Sequence, residues 1–144
     1  MVHNYTVGLG NAASYAASSK PYLSASINLT AGGYSVVELS FPNVSKFVTV
    51  RNMGPTGSNE APLRFGFSHI GVTGSVADKQ NYVVLANGES YTGDFRVARM
   101  YLMTHTDGGS LNATASVIAG MTGIGYGDLG FEPLNNWSGS EGVG

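Results

Sequence analysis

The side chains able to do chemistry are few in these 144 residues, and they are scattered. Three histidines, His3, His69 and His105, fall in three different segments, and only His105 has a carboxylate two positions away, Asp107. On a strand that spacing sets both groups on one face. Asp107, however, opens an Asp-Gly-Gly turn, where an aspartate bonds its own backbone. With no cysteine in the chain, disulfides, thiolate zinc sites, iron–sulfur clusters and thiol nucleophiles are excluded; with the histidines also scattered, neither a metal nor a cofactor is expected. Glu89 and Asp94 are of the residue types of a glycosidase carboxylate pair, but on strand edges such residues are more often solvated. No Gly-x-Ser-x-Gly elbow is present to activate a serine. Gly125, Gly127 and Gly130 spell the G-x-G-x-x-G of dinucleotide-binding loops. That fingerprint needs a helix opening at its third glycine, whereas Pro133 follows three residues later. The expectation is a protein that is not an enzyme.

Composition narrows the class further. The formal net charge is -2 and only 11% of residues are charged, with no run of either sign, so the basic footprint of a nucleic-acid-binding protein is missing. A hydrophobic fraction of 42% is near the globular average and supports a packed core. The 21 glycines and the scarcity of Lys, Arg and Glu argue against a helical protein. No window approaches the roughly 18 to 20 apolar residues of a membrane helix. The first residues lack a basic stretch followed by an apolar one, so no secretory signal is read there. Asn-x-Ser/Thr triplets at Asn4, Asn28, Asn43, Asn112 and Asn136 are expected by chance in a chain this rich in those residues.

Residues 1–23 read as an N-terminal arm, with small residues at 11–19 and Pro21 to end any helix. Residues 24–120 read as the folded domain. Ile27 and Leu29 alternate with polar residues, and a second run at 34–41 places Val37, Leu39 and Phe41 on one face. With Ala31-Gly32-Gly33 between them, the two runs predict a hairpin. A strand follows at 46–52, then an exposed loop over 53–62, and then a strand carrying Leu63, Phe65 and Phe67. Residues 69–80 read as a second long connection. Asn87-Gly88 predicts a tight turn joining residues 81–86 to a return strand from Glu89. That return run, 89–104, is too long for one strand, and Gly93 is expected to divide it. Beyond Gly93, Phe95, Val97, Arg99, Tyr101 and Met103 alternate with Arg96, Ala98, Met100 and Leu102. Apolar groups on both faces predict a central strand. Arg64, Arg96 and Arg99 are expected to snorkel or to pair with Asp94 or Glu38. Residues 112–120 supply a last strand with Ala113, Ala115, Val117 and Ala119 in alternation. Seven or eight strands without a convincing helix predict an all-β, antiparallel two-sheet sandwich, of jelly-roll or immunoglobulin-like connectivity.

Residues 121–144 are rich in glycine yet hold Tyr126, Leu129, Phe131, Leu134 and Trp137. Large aromatic groups in a segment unable to form its own core suggest docking on a surface, either its own domain's or a neighbour's. Tyr5, Tyr15, Tyr126, Phe131 and Trp137 are therefore the candidate partner-contact residues.

Arg64-Phe65-Gly66-Phe67-Ser68, Asn81-Tyr82-Val83-Val84-Leu85 with Asn87-Gly88-Glu89-Ser90, Asp94-Phe95-Arg96-Val97 and Met100-Tyr101-Leu102 form an ordered series. In that order the chain resembles small β-sandwich structural proteins of virus and bacteriophage particles, including capsid decoration (cement) proteins. The resemblance covers about 40 residues. It implies a protein of the virion, made in the host cytoplasm, that sits on a capsid surface as a homo-oligomer, often a trimer, with its ends reaching into neighbouring subunits. Its partners would be itself and other capsid proteins, without nucleic acid or membrane. The alternatives are a carbohydrate-binding, lectin-like sandwich and a head fibre or tail component.

Overall fold

The computed structural model describes residues 20–30, 35–54, 61–74, 80–105 and 112–125. These residues hold eight strands and one short helix, in chain order: β1 (Pro21–Leu29), β2 (Val37–Ser40), β3 (Asn43–Asn52), β4 (Leu63–Gly66), α1 (His69–Thr73), β5 (Val83–Leu85), β6 (Ser90–Gly93), β7 (Arg99–Thr104) and β8 (Ala113–Gly125). They make two four-stranded antiparallel sheets, β1-β8-β3-β6 and β2-β7-β4-β5. The all-β two-sheet sandwich expected from the strand pattern is the fold of the chain. Among the described residues, paired structure runs from Pro21 to Gly125 and so reaches past both Ser24 and Gly120.

The pairing is nested. β1 pairs with β8, β2 with β7, β3 with β6 and β4 with β5, while β3–β8 and β4–β7 complete the two sheets. A long hairpin rolled up on itself gives this order, which is that of an eight-stranded jelly roll. The predicted hairpin between residues 24–30 and 34–41 does not form: β1 and β2 lie in different sheets, each paired to a strand from the far end of the chain. The turn at Asn87-Gly88 does form, with Gly88 at φ 82 and the Glu89 N–H donating to the Ala86 carbonyl at 3.0 Å. It joins no hairpin, because β5 and β6 belong to opposite sheets. The turn is a corner of the roll.

Between the sheets, Leu29, Val48, Val50, Val117 and the alanines of β8 face Leu63, Phe65, Met100 and Leu102. Small side chains on β8 leave room for the large ones opposite. Burying each large apolar side chain contributes about 1.5–3 kcal/mol. Gly93 does end β6, and the run beyond it loses its simple alternation. Val97 and Ala98 are both buried, after which Met100 and Leu102 join Val97 in the main core. Tyr101 and Met103 point to the opposite face of the sheet, where Val72 of α1 packs on them. β7 is thus the central strand the sequence predicts, but its two faces are shared out differently from a continuous alternation.

The helix α1 lies within the stretch read as an irregular connection. Ser68 caps it, its Oγ accepting from the Gly71 N–H at 2.9 Å, and Gly74 at φ 60 closes it with an N–H donated to the Ile70 carbonyl at 3.0 Å. Such caps stabilise a single turn that is marginal alone. The apolar outer positions of β7 supply the rest.

Candidate functional site

The clearest unmet surface is the outer face of the β1-β8-β3-β6 sheet. Register places Leu23 beside Ile118, Ile118 beside Thr49, and Thr49 beside Thr92, in one row across all four strands. The next row holds Pro21, Gly120 and Phe47. On the other side lie Ser116, Arg51 and Ser90. Leu23 is 67% exposed and Ile118 is 44% exposed, although large apolar side chains usually leave water on folding. A Cβ on Gly120 would collide with the Phe47 ring, which the missing side chain allows to lie against the strand. The result is an apolar strip of Pro21, Leu23, Ile118 and Phe47, flanked by the hydroxyls of Thr49 and Thr92, which bond each other at 2.8 Å.

The strip was visible in part. Along β8, alternation points Ala113, Ala115, Val117 and Ala119 inward and leaves Thr114, Ser116 and Ile118 outward, so a large β-branched residue stands where the pattern asks for a polar one. Leu23 falls in the stretch that reads as an arm, where no alternation marks it. Its register against Ile118 follows only from the long-range pairing of β1 with β8.

On the outer face of the other sheet, the Arg64 guanidinium lies 4.7 Å from the Tyr82 ring centroid, and Tyr82 contacts the His105 ring at 5.7 Å. The Arg64 Nε is buried without a hydrogen-bond partner, so the face of Tyr82 is what the cation meets. Among the described residues no carboxylate pairs with Arg64. Arg99 has one, reaching Glu38 at 3.3 Å. A third group, Phe65, Phe67, Tyr91 and Phe95, fills the space where β6 approaches β4. Phe67 and Phe95 meet edge to face at 4.8 Å, and Tyr91 and Phe95 stack at 6.1 Å and 16°. Tyr91 remains 41% exposed.

Among the described residues, those singled out for catalysis lie in separate places. Glu89 uses its carboxylate to accept the Ala86 N–H at 2.8 Å, as part of the corner, and Asp94 is an exposed residue just past β6. His69 sits against Tyr101 at 6.4 Å, while His105 belongs to the Tyr82 cluster. Among the described residues no group of three His, Cys, Asp or Glu side chains is placed to hold a metal ion. Gly125 pairs with Asn43 at the end of β8. His3, Asp107, Gly127 and Gly130 lie outside the described residues, as do the candidate contact residues Tyr5, Tyr15, Tyr126, Phe131 and Trp137. Comparison with protein-family models, with curated proteins and with solved structures finds no match to this chain.

Proposed function

We propose that this chain is a non-enzymatic structural protein of a virus or phage particle, a capsid decoration or cement protein that binds the shell through subunit contacts. The observation that carries this reading is the apolar strip of Leu23, Ile118, Pro21 and Phe47 on an outer sheet face, a surface of the kind that interfaces cover. The rolled eight-strand order supports it by analogy, since capsid domains use that order; lectin domains do too, so topology alone does not choose between them. In this reading the protein works in the virion as a homo-oligomer, with the shell as its second partner. Light scattering on the purified chain, alone and mixed with particles from its source, tests it. A discrete oligomer or saturable attachment to particles is expected; a monomer indifferent to particles overturns the reading.

A second reading, a carbohydrate-binding module, is favoured by one feature. The ring of Tyr91 is exposed and stacked on Phe95, the arrangement on which a sugar face packs. Retention on a glycan array that is lost in Tyr91→Ala would move this reading to first place.

A further inference from the structure

The strip has a charge character as well as an apolar one. Among the paired positions of this outer face the one charged residue is Arg51, and none is a carboxylate; Lys20 stands exposed just ahead of β1, and the exposed Glu89 and Asp94 flank β6 at the sheet's edge. Arg51 lies on the same outer face as Ile118, one row further along. A partner suited to this face presents apolar anchors among negative charges.

The chain itself contains such a segment. Residues 126–144 carry Asp128, Glu132 and Glu141, no Lys or Arg, and the apolar groups Tyr126, Leu129, Phe131, Leu134 and Trp137. Gly125 is the last described residue of β8. Ile118 is seven residues back along β8, about 24 Å at the rise of a strand, and the strand is heading away from the strip when it ends. Nineteen residues span up to about 60 Å when extended, enough to cross to another molecule.

Resting on the assembly reading, we infer that the outer face of the β1-β8-β3-β6 sheet receives residues 126–144 of a second copy of this chain. Leu23, Ile118 and Phe47 take the apolar anchors, and Arg51 draws the carboxylates. Exchange of the segment between copies links each molecule to the next, closing a ring if the rotation between them permits.

The absence of native cysteine makes a direct test available. Full-length Ser116→Cys, with its thiol on the face of Ile118, is mixed with full-length Ser138→Cys, next to Trp137, and treated with a short bis-maleimide. The expected product is a hetero-cross-linked dimer, lost when Ile118→Asp is added to the first chain or Trp137→Ala to the second. Cooperative urea unfolding of Ile118→Asp shows that the loss is not misfolding, and Leu23→Asp serves in its place if that variant does not fold. The Ser116→Cys, Ser138→Cys double variant is treated at high dilution; a cross-link within one chain there assigns the face to the molecule's own segment and overturns the inference. An oligomer in light scattering with no cross-link between copies also overturns it, while leaving the assembly reading standing. A monomer that does not attach to particles removes both.

Discussion

Asn52 and Leu85 belong to opposite sheets and are joined directly, the Asn52 Nδ2 donating to the Leu85 carbonyl at 3.2 Å. The same amide nitrogen donates to the Ala61 carbonyl at 3.1 Å, and the Asn52 Oδ1 accepts from the Gly54 N–H at 3.0 Å. The Asn52 backbone adds bonds to Glu89 and Gly88 on the corner. One fully buried side chain therefore ties the end of β3 to the approach of β4, the end of β5 and the corner into β6. Asn52→Leu keeps the branched shape, adds bulk at a buried site and removes the partner of two buried carbonyls and one part-buried N–H. With each unmet group costing about 1–3 kcal/mol, the expected loss is about 3 kcal/mol or more, read from the urea midpoint.

Ser45 does similar work where the chain returns from β6 toward β7. Its Oγ donates to the Phe95 carbonyl and accepts from the Val97 N–H at 3.1 Å, and its own N–H donates to the Val97 carbonyl. These bonds replace ladder pairing at the irregularity between Asn43 and Phe47, where Thr122 Oγ1 also donates to the Val44 carbonyl at 2.7 Å. Ser45→Ala is expected to cost about 1–3 kcal/mol, with faster hydrogen exchange at Val97 as its local signature.

Two glycines of the corner separate backbone strain from crowding. Gly88, at φ 82, faces open space, so Gly88→Ala carries only the left-handed penalty of about 1–2 kcal/mol. Gly54, at φ 64, carries the same penalty, and a Cβ there would also strike the Asn87 side chain. Gly54→Ala is expected to lower the melting temperature further than Gly88→Ala, and Gly88→Asn to be milder than either because asparagine tolerates this region.

Arg64 tests what a half-buried guanidinium contributes when it stacks on a ring and keeps a buried, unmet Nε. Its stacking on Tyr82 is worth about 0.5–1 kcal/mol at an exposed site, while a buried Nε lacking a partner costs about 1–3 kcal/mol. Arg64→Met retains the packing stem and removes the unmet donor, so its stability is expected to equal or exceed that of the parent. A melting temperature lowered by several degrees would show that the cation is held by more than the ring.

Glu38 and Arg99, both well exposed at 3.3 Å, give the contrasting case of a solvated pair. Glu38→Gln is expected to shift stability by less than about 1 kcal/mol, and the difference should vanish in high salt.

Much of the strand structure was legible because alternation is a local property. Leu63 and Phe65, the alanines of β8 and the two-sided apolar run of β7 each announced a strand within a few residues. Ser68 and Gly74, the caps of α1, were also in plain sight, but a single helical turn has too little periodicity to register. The pairing was not local. Asn87-Gly88 has the chemistry of a hairpin turn, and only the partners waiting for β5 and β6, namely β4 and β3, make it a corner between sheets.

The sequence by itself determined that this protein is all β, built of eight or so short strands around an apolar core, with low charge and no thiol chemistry, because residue type and a period of two act over neighbouring positions. The tertiary structure alone decided the rolled order, in which β1 meets β8 and β2 meets β7, and with it the row Leu23–Ile118–Thr49–Thr92 that makes the candidate interface. Those pairings join residues far apart in the chain, and what selects them is which faces bury together once every strand has a neighbour, a property of the whole assembly of strands rather than of any one of them.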